Sequence, residues 1–105
     1  MTEYAVTLTE AARQDITEIS LYIANALQNL DAANRFLDHM EKAIDSLEQM
    51  PNRQPLVRDE MLAAQGFHLL SVDNYSLFYK IYDSEKTVLV IRVLYSKQDW
   101  LKILQ

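Results

Sequence analysis

The stretch GFHLLSVDNYSLFYKIYDSEKTVLVIRVLY, residues 66–95, decides the fold. Within it Gly66 to Val72, Tyr75 to Tyr82 and Thr87 to Tyr95 are rich in Val, Leu, Ile, Phe and Tyr, and each has the composition and length of a strand. Asp73-Asn74 parts the first two runs and Asp83 to Lys86 the last two. Asn and Asp tolerate the positive φ of tight hairpin turns, so the three runs read as an antiparallel meander.

A meander needs an apolar cover on one face, and the residues that precede it supply one. Tyr4, Val6 and Leu8 alternate with Ala5, Thr7 and Thr9, the period of a short first strand. Thr9 suits a helix N-cap, with Glu10 in the first turn where the helix dipole favours negative charge. Ile16, Ile19, Ile23 and Leu27 then recur at helical spacing, which predicts a helix from Glu10 to Leu27. Gln28 to Asp31 breaks the pattern, and Phe36, Met40, Ala43, Ile44 and Leu47 form a second apolar stripe that Pro51 ends. So short a connection implies an antiparallel helical hairpin, packed on the sheet through both stripes.

Residues 50 to 65 carry both prolines and the run Val57-Arg58-Asp59-Glu60, and read as an irregular surface connection. Ser96 can cap a final short helix containing Trp100, Leu101 and Leu104. The expected architecture is α+β in the order β-α-α-β-β-β-α, a single domain over residues 1–105 in which the helical hairpin packs on an antiparallel sheet, with strand one paired into the same sheet and a short terminal helix. At 105 residues the chain has the size of one domain and buries only about two-thirds of its unfolded surface.

The chain has no cysteine, which removes disulfides and thiolate metal sites and suits a reducing compartment. The start MTEYAVTLTEAARQD lacks the basic residues and apolar run of a signal peptide, and no apolar stretch reaches membrane-spanning length. A cytoplasmic location is expected. The net charge of −5 argues against general nucleic-acid binding, which needs Lys and Arg for phosphate contacts. That charge is uneven: residues 1 to 50 hold nine acids against three bases, residues 51 to 105 six against seven. An anionic ligand is therefore expected to meet the C-terminal half.

With one glycine in the chain, neither the G-x-x-x-x-G-K-[ST] nor the G-x-G-x-x-G phosphate loop exists. His39 and His68 have no partner at metal-ligand spacing, so no metal and no cofactor is implied. What remains lies on the sheet: His68, Arg92, Tyr95 and Lys97, with Tyr75, Tyr79 and Tyr82 on the middle strand. Arg92 interrupts a run whose neighbours read as buried on both faces, and a charge there needs a partner or a purpose. It either pairs with Asp99 or another carboxylate, or is presented from a rigid strand to a phosphate or carboxylate. His68 points opposite to Phe67 and Leu69, and serves either as a hydrogen-bonded structural residue or as a proton-exchanging one near neutral pH. Tyr95 and Lys97 close the last strand, in amphipathic packing or in a site.

With those residues in view, the chain resembles the RelE/ParE toxin superfamily along its whole length. The resemblance rests on Tyr4 to Thr9 with Ala11-Ala12 and Asp15, on Ile19 to Ile23 with Tyr22-Ile23, and on Leu47 to Pro51. Above all it rests on Asn74-Tyr75 through Phe78-Tyr79 and on Arg92-Val93-Leu94-Tyr95-Ser96-Lys97-Gln98-Asp99-Trp100, which look like the superfamily's N-Y-x-x-F-Y and R-V-L-[HY]-x-[RK]-x-D-W patterns. The resemblance implies the toxin of a type II toxin–antitoxin module, a plasmid stabilisation protein that arrests growth and is neutralised by a cognate antitoxin in a hetero-oligomer. Relatives similar to RelE cut messenger RNA on the ribosome; those similar to ParE inhibit DNA gyrase. For the first activity His68, Arg92, Tyr95 and Lys97 would be the catalytic set, supplying acid, phosphate clamp and positioning hydroxyl. His68 stands here where relatives often have arginine after Gly-aromatic, Tyr95 where many have histidine, and Lys97 where many have arginine. Fewer strong cations, an acidic total and a long helical hairpin favour the gyrase-directed reading. The alternatives are a ribosome-dependent endoribonuclease and a non-toxic member that only binds antitoxin.

Overall fold

The computed structural model describes residues 3–49, 51–53, 56, 58–98 and 100–104, the side chains of Arg53 and Leu101 excepted. Strand β1 (Ala5–Leu8) leads into helix α1 (Glu10–Leu21), which continues as a π-helical turn over Tyr22–Ala26, and α2 (Leu30–Ser46) follows. A 3-10 turn at Pro51–Arg53 and a short helix α3 (Glu60–Ala64) precede the strands β2 (His68–Val72), β3 (Tyr75–Tyr82) and β4 (Thr87–Tyr95) and the helix α4 (Trp100–Leu104).

The local signals act as their chemistry requires. The Thr9 hydroxyl accepts the Ala12 N–H at 3.0 Å and starts α1. The first helix ends one residue earlier than its apolar stripe suggests, and its last turn is widened: Leu27 N–H reaches back to the Tyr22 carbonyl and Asn29 N–H to that of Ile23. Gln28 takes the left-handed conformation at φ 50, and Asn29 caps α2 by accepting the Ala32 N–H at 3.0 Å. The break between the helices is thus only Leu27 to Asn29, and Leu30 and Asp31 already belong to α2.

The sheet has four strands in the order β1-β4-β3-β2. The meander is antiparallel as expected, with Asp73 at φ 55 in its first turn and Lys86 at φ 50 in its second. Strand one joins parallel to β4, from Ala5 opposite Thr87 to Leu8 opposite Val90, so the sheet is mixed rather than antiparallel throughout. The crossover through the helical hairpin and meander is long enough to permit a parallel entry.

Both faces of the sheet are covered. Ala12, Phe36, Met40 and Leu47 from the hairpin pack with Leu77, Tyr79, Val88, Val90 and Val93 on one face. Leu62 of α3, Phe67, Phe78 and Leu94, with Trp100 and Ile103 of α4 against them, form a second cluster on the other. This second cover explains why Leu77, Phe78 and Tyr79 are consecutive and all fully buried.

Two expectations are corrected. Residues 50 to 65 are not wholly irregular: Asp59 accepts the Met61 and Leu62 N–H groups at 3.0 and 3.1 Å and starts α3, whose Leu62 is buried. Ser96 does not cap the last helix, which begins only at Trp100; its hydroxyl instead meets that of Ser76 at 3.0 Å. Within the connection, Met50, Gln54, Pro55 and Val57 lie outside the described residues.

Candidate functional site

Arg92 sits where two irregularities of β4 coincide. Phe78 faces Arg92 but Tyr79 faces Val90, so Ile91 is an extra residue and the strand bulges beside the arginine. On its other side β4 loses its neighbour where β1 ends at Leu8, and side chains take over the exposed backbone. The Thr9 hydroxyl donates to the Ile91 carbonyl at 2.7 Å, and Asp15 of α1 accepts the Val93 N–H at 3.0 Å.

That same Asp15 holds Arg92 in a two-pronged pair, Nε to Oδ2 at 2.7 Å and Nη2 to Oδ1 at 2.8 Å. Asp15 is thus a carboxylate partner of Arg92, and Asp99 lies outside the described residues. The hydrogen bonds to Asp15 raise the Arg92 pKa above its ordinary value; burial opposes them, and the negative charges of Asp15 and Glu18 add to them.

The other candidates are dispersed. The His68 ring on β2 stacks on that of Tyr79, with centroids 5.3 Å apart and planes 17° from parallel. Tyr79 is itself fixed, its buried hydroxyl donating to the Pro51 carbonyl at 2.7 Å. Lys97 is exposed in the turn after β4. Tyr95, at the end of β4, is 41 % exposed and meets Tyr75 edge to face at 5.8 Å.

A cavity of about 800 Å³ opens over this end of the sheet, between α1, its π-helical turn, the end of β4 and α4. It brings Arg92 and Tyr95 together with Asp15, Glu18, Tyr22 and Tyr75; neither His68 nor Lys97 lines it. Tyr22 escaped sequence reasoning as a site residue because in a helix it reads only as the polar flank of an apolar stripe. Tyr75 was visible as one of three tyrosines on its strand, with nothing to separate it from Tyr79 or Tyr82. Burial first, and then the neighbouring Tyr22, Tyr95 and Asp73, raise the Tyr75 pKa above its ordinary value.

Elsewhere His39 of α2 lies 3.0 Å from Asp73 and ties the helical hairpin to the β2–β3 turn. Among the described residues no three His, Cys, Asp or Glu side chains are grouped to hold a metal, and no helix is long and apolar enough to cross a membrane.

Comparison with known proteins agrees with this fold. A chain of the chromosomal ParDE toxin–antitoxin system of P. aeruginosa superimposes with a TM-score of 0.73 at 15 % identity, covering 90 % of this chain and 98 % of that one. A chain of the RelBE2 toxin–antitoxin complex of Mycobacterium tuberculosis gives a TM-score of 0.61 at 27 % identity, over 90 % and 93 % of the two chains. An arginine-substituted variant of the E. coli toxin RelE in the free state gives 0.65 at 13 % identity, over 97 % and 93 %. No curated protein matches the sequence. The family profile described as the ParE toxin of the type II toxin–antitoxin system parDE matches residues 6–100, and the chain belongs to that family, within the RelE/ParE superfamily.

Proposed function

We propose that this toxin arrests growth by binding DNA gyrase, in the manner of ParE, rather than by cutting messenger RNA, and that a cognate antitoxin neutralises it in a cytoplasmic hetero-oligomer. The observation that carries the reading is the engagement of Arg92 by Asp15 in a cavity that His68 and Lys97 do not reach. Cleavage at a ribose 2′-hydroxyl needs a base, a phosphate-stabilising cation and an acid converging on one phosphate. Here the cation of the cavity is matched by a carboxylate. Membership of the ParE toxin family supports the same reading, and similarity to proteins of the ParDE system and the RelBE2 complex supports an antitoxin partner.

Ribosome-dependent cleavage is the second reading, favoured by the presence of Arg92 and Tyr95 in one cavity. A non-toxic member that retains only antitoxin binding is the third. Purified toxin added to gyrase with relaxed plasmid, and separately to translating ribosomes, separates them. The proposal expects loss of supercoiling and whole messages; cut messages with normal supercoiling would overturn it, and so would inactivity in both assays.

A further inference from the structure

We propose that the cavity at the end of β4 is a receptor for a cationic side chain, an arginine or lysine of a protein partner, held among the rings of Tyr22, Tyr75 and Tyr95 beside Glu18. The proposal rests on reading the toxin as a binder of protein partners, and it assigns to the cavity the opposite charge preference from the one that RNA cleavage would need.

Charge gives the first argument. The cavity holds two carboxylates, Asp15 and Glu18, and one guanidinium, Arg92. Arg92 and Asp15 satisfy each other in the two-pronged pair, so the charge left over is that of Glu18, which is exposed and has no salt-bridge partner among the described residues. A phosphate entering would meet that carboxylate; an ammonium or guanidinium would be attracted to it.

Aromatic geometry gives the second. Tyr75 and Tyr95 meet at 64° with centroids 5.8 Å apart, two walls of a corner, and Tyr22 is a third ring in the lining. Ring faces are electron-rich and hold cations within about 6 Å of their centres. Tyr22 is 56 % exposed, so this aromatic surface is not consumed by the core. It is carried by the first residue of the π-helical turn, a rare element that often marks functional positions.

Size and lining select the occupant. About 800 Å³ is far more than an inorganic cation fills, and Ile19, Leu27 and Ile103 offer apolar contact to the residues that flank an arginine or lysine in a peptide.

The test is a titration of the purified chain followed through its tyrosine ring resonances, with four probes: acetyl-arginine amide, the neutral citrulline analogue, inorganic phosphate, and a blocked peptide with arginine between leucines. Acetyl-arginine amide should shift the Tyr22, Tyr75 and Tyr95 signals saturably, with no response to citrulline or phosphate. The peptide should saturate at about tenfold lower concentration, the gain from burying roughly one leucine side chain. Glu18→Gln should weaken binding roughly two- to fivefold, as for an exposed ion pair. Tyr22→Ala and Tyr95→Ala replace exposed rings, so they should weaken it while leaving the circular dichroism spectrum unchanged. Equal shifts with citrulline, or shifts with phosphate, would overturn the cation site. Equal affinity for peptide and amino-acid derivative would overturn its assignment to a protein partner. Because neither gyrase nor ribosomes are present, this outcome is independent of the target reading.

Discussion

Arg92 and Asp15 each solve a problem the other creates. The bulge and the end of β1 leave an arginine and a backbone N–H at an edge of the sheet, and one carboxylate receives three hydrogen bonds from them. Breaking a fully buried pair costs about 3–5 kcal/mol, and the 29 % exposure of the Arg92 side chain places this pair below that range. Asp15→Ala and Arg92→Ala should each lower stability by about 2 kcal/mol in urea unfolding, and the double variant should lose less than both together; strict additivity would show that the pair is not coupled. Tyr75 gives a pH signature. Its folded pKa lies above the ordinary 10.0, so the neutral phenol is the form the fold favours. The stability it contributes is complete below about pH 10, the unfolded value, and is lost as pH rises through the higher folded value. Tyr75→Phe should therefore flatten the alkaline fall of the melting temperature; an unchanged fall would assign it to other groups. His68→Ala removes a ring stacked on Tyr79, and should lower stability by about 1 kcal/mol without altering growth arrest. Loss of toxicity in a folded His68→Ala protein, together with loss of message cleavage, would place His68 in a catalytic role.

At the scale of elements, long periodic segments announced themselves and short ones did not. The three strands of the meander, the helix stripes of Ile16 to Ile23 and Phe36 to Leu47, and the Thr9 cap were all legible, because each repeats a local pattern that burial rewards. The α3 helix has only five residues, too few for a periodicity, and its sole signal was Asp59 before Glu60 inside a charged run. Asp59→Ala should cost about 1 kcal/mol and lower the melting temperature accordingly; no change would mean that Leu62 packing alone holds the helix. The parallel entry of β1 was hidden for a different reason: alternation fixes which face a strand buries, not the direction in which it joins.

Over the whole molecule, what sequence could not reach is what distance along the chain conceals. Asp15 and Arg92 are 77 residues apart, and the cavity gathers Tyr22, Tyr75 and Tyr95 from three elements. Two of the four catalytic candidates, Arg92 and Tyr95, were therefore found in one place, while His68 and Lys97, chosen by strand position and charge, were not. At this cavity α1 brings the carboxylates of Asp15 and Glu18 beside Arg92, an arrangement that the uneven charge of the two halves does not reveal. The basic C-terminal half and acidic N-terminal half are not separate surfaces here but the two walls of one site. The measurement that bears most directly on the toxin's target is induction of the chain alone in a bacterial host, with RNA ends and plasmid supercoiling mapped within minutes. The gyrase reading predicts growth arrest with intact messages and loss of negative supercoiling; fresh cuts inside translated messages, with supercoiling preserved, would contradict it.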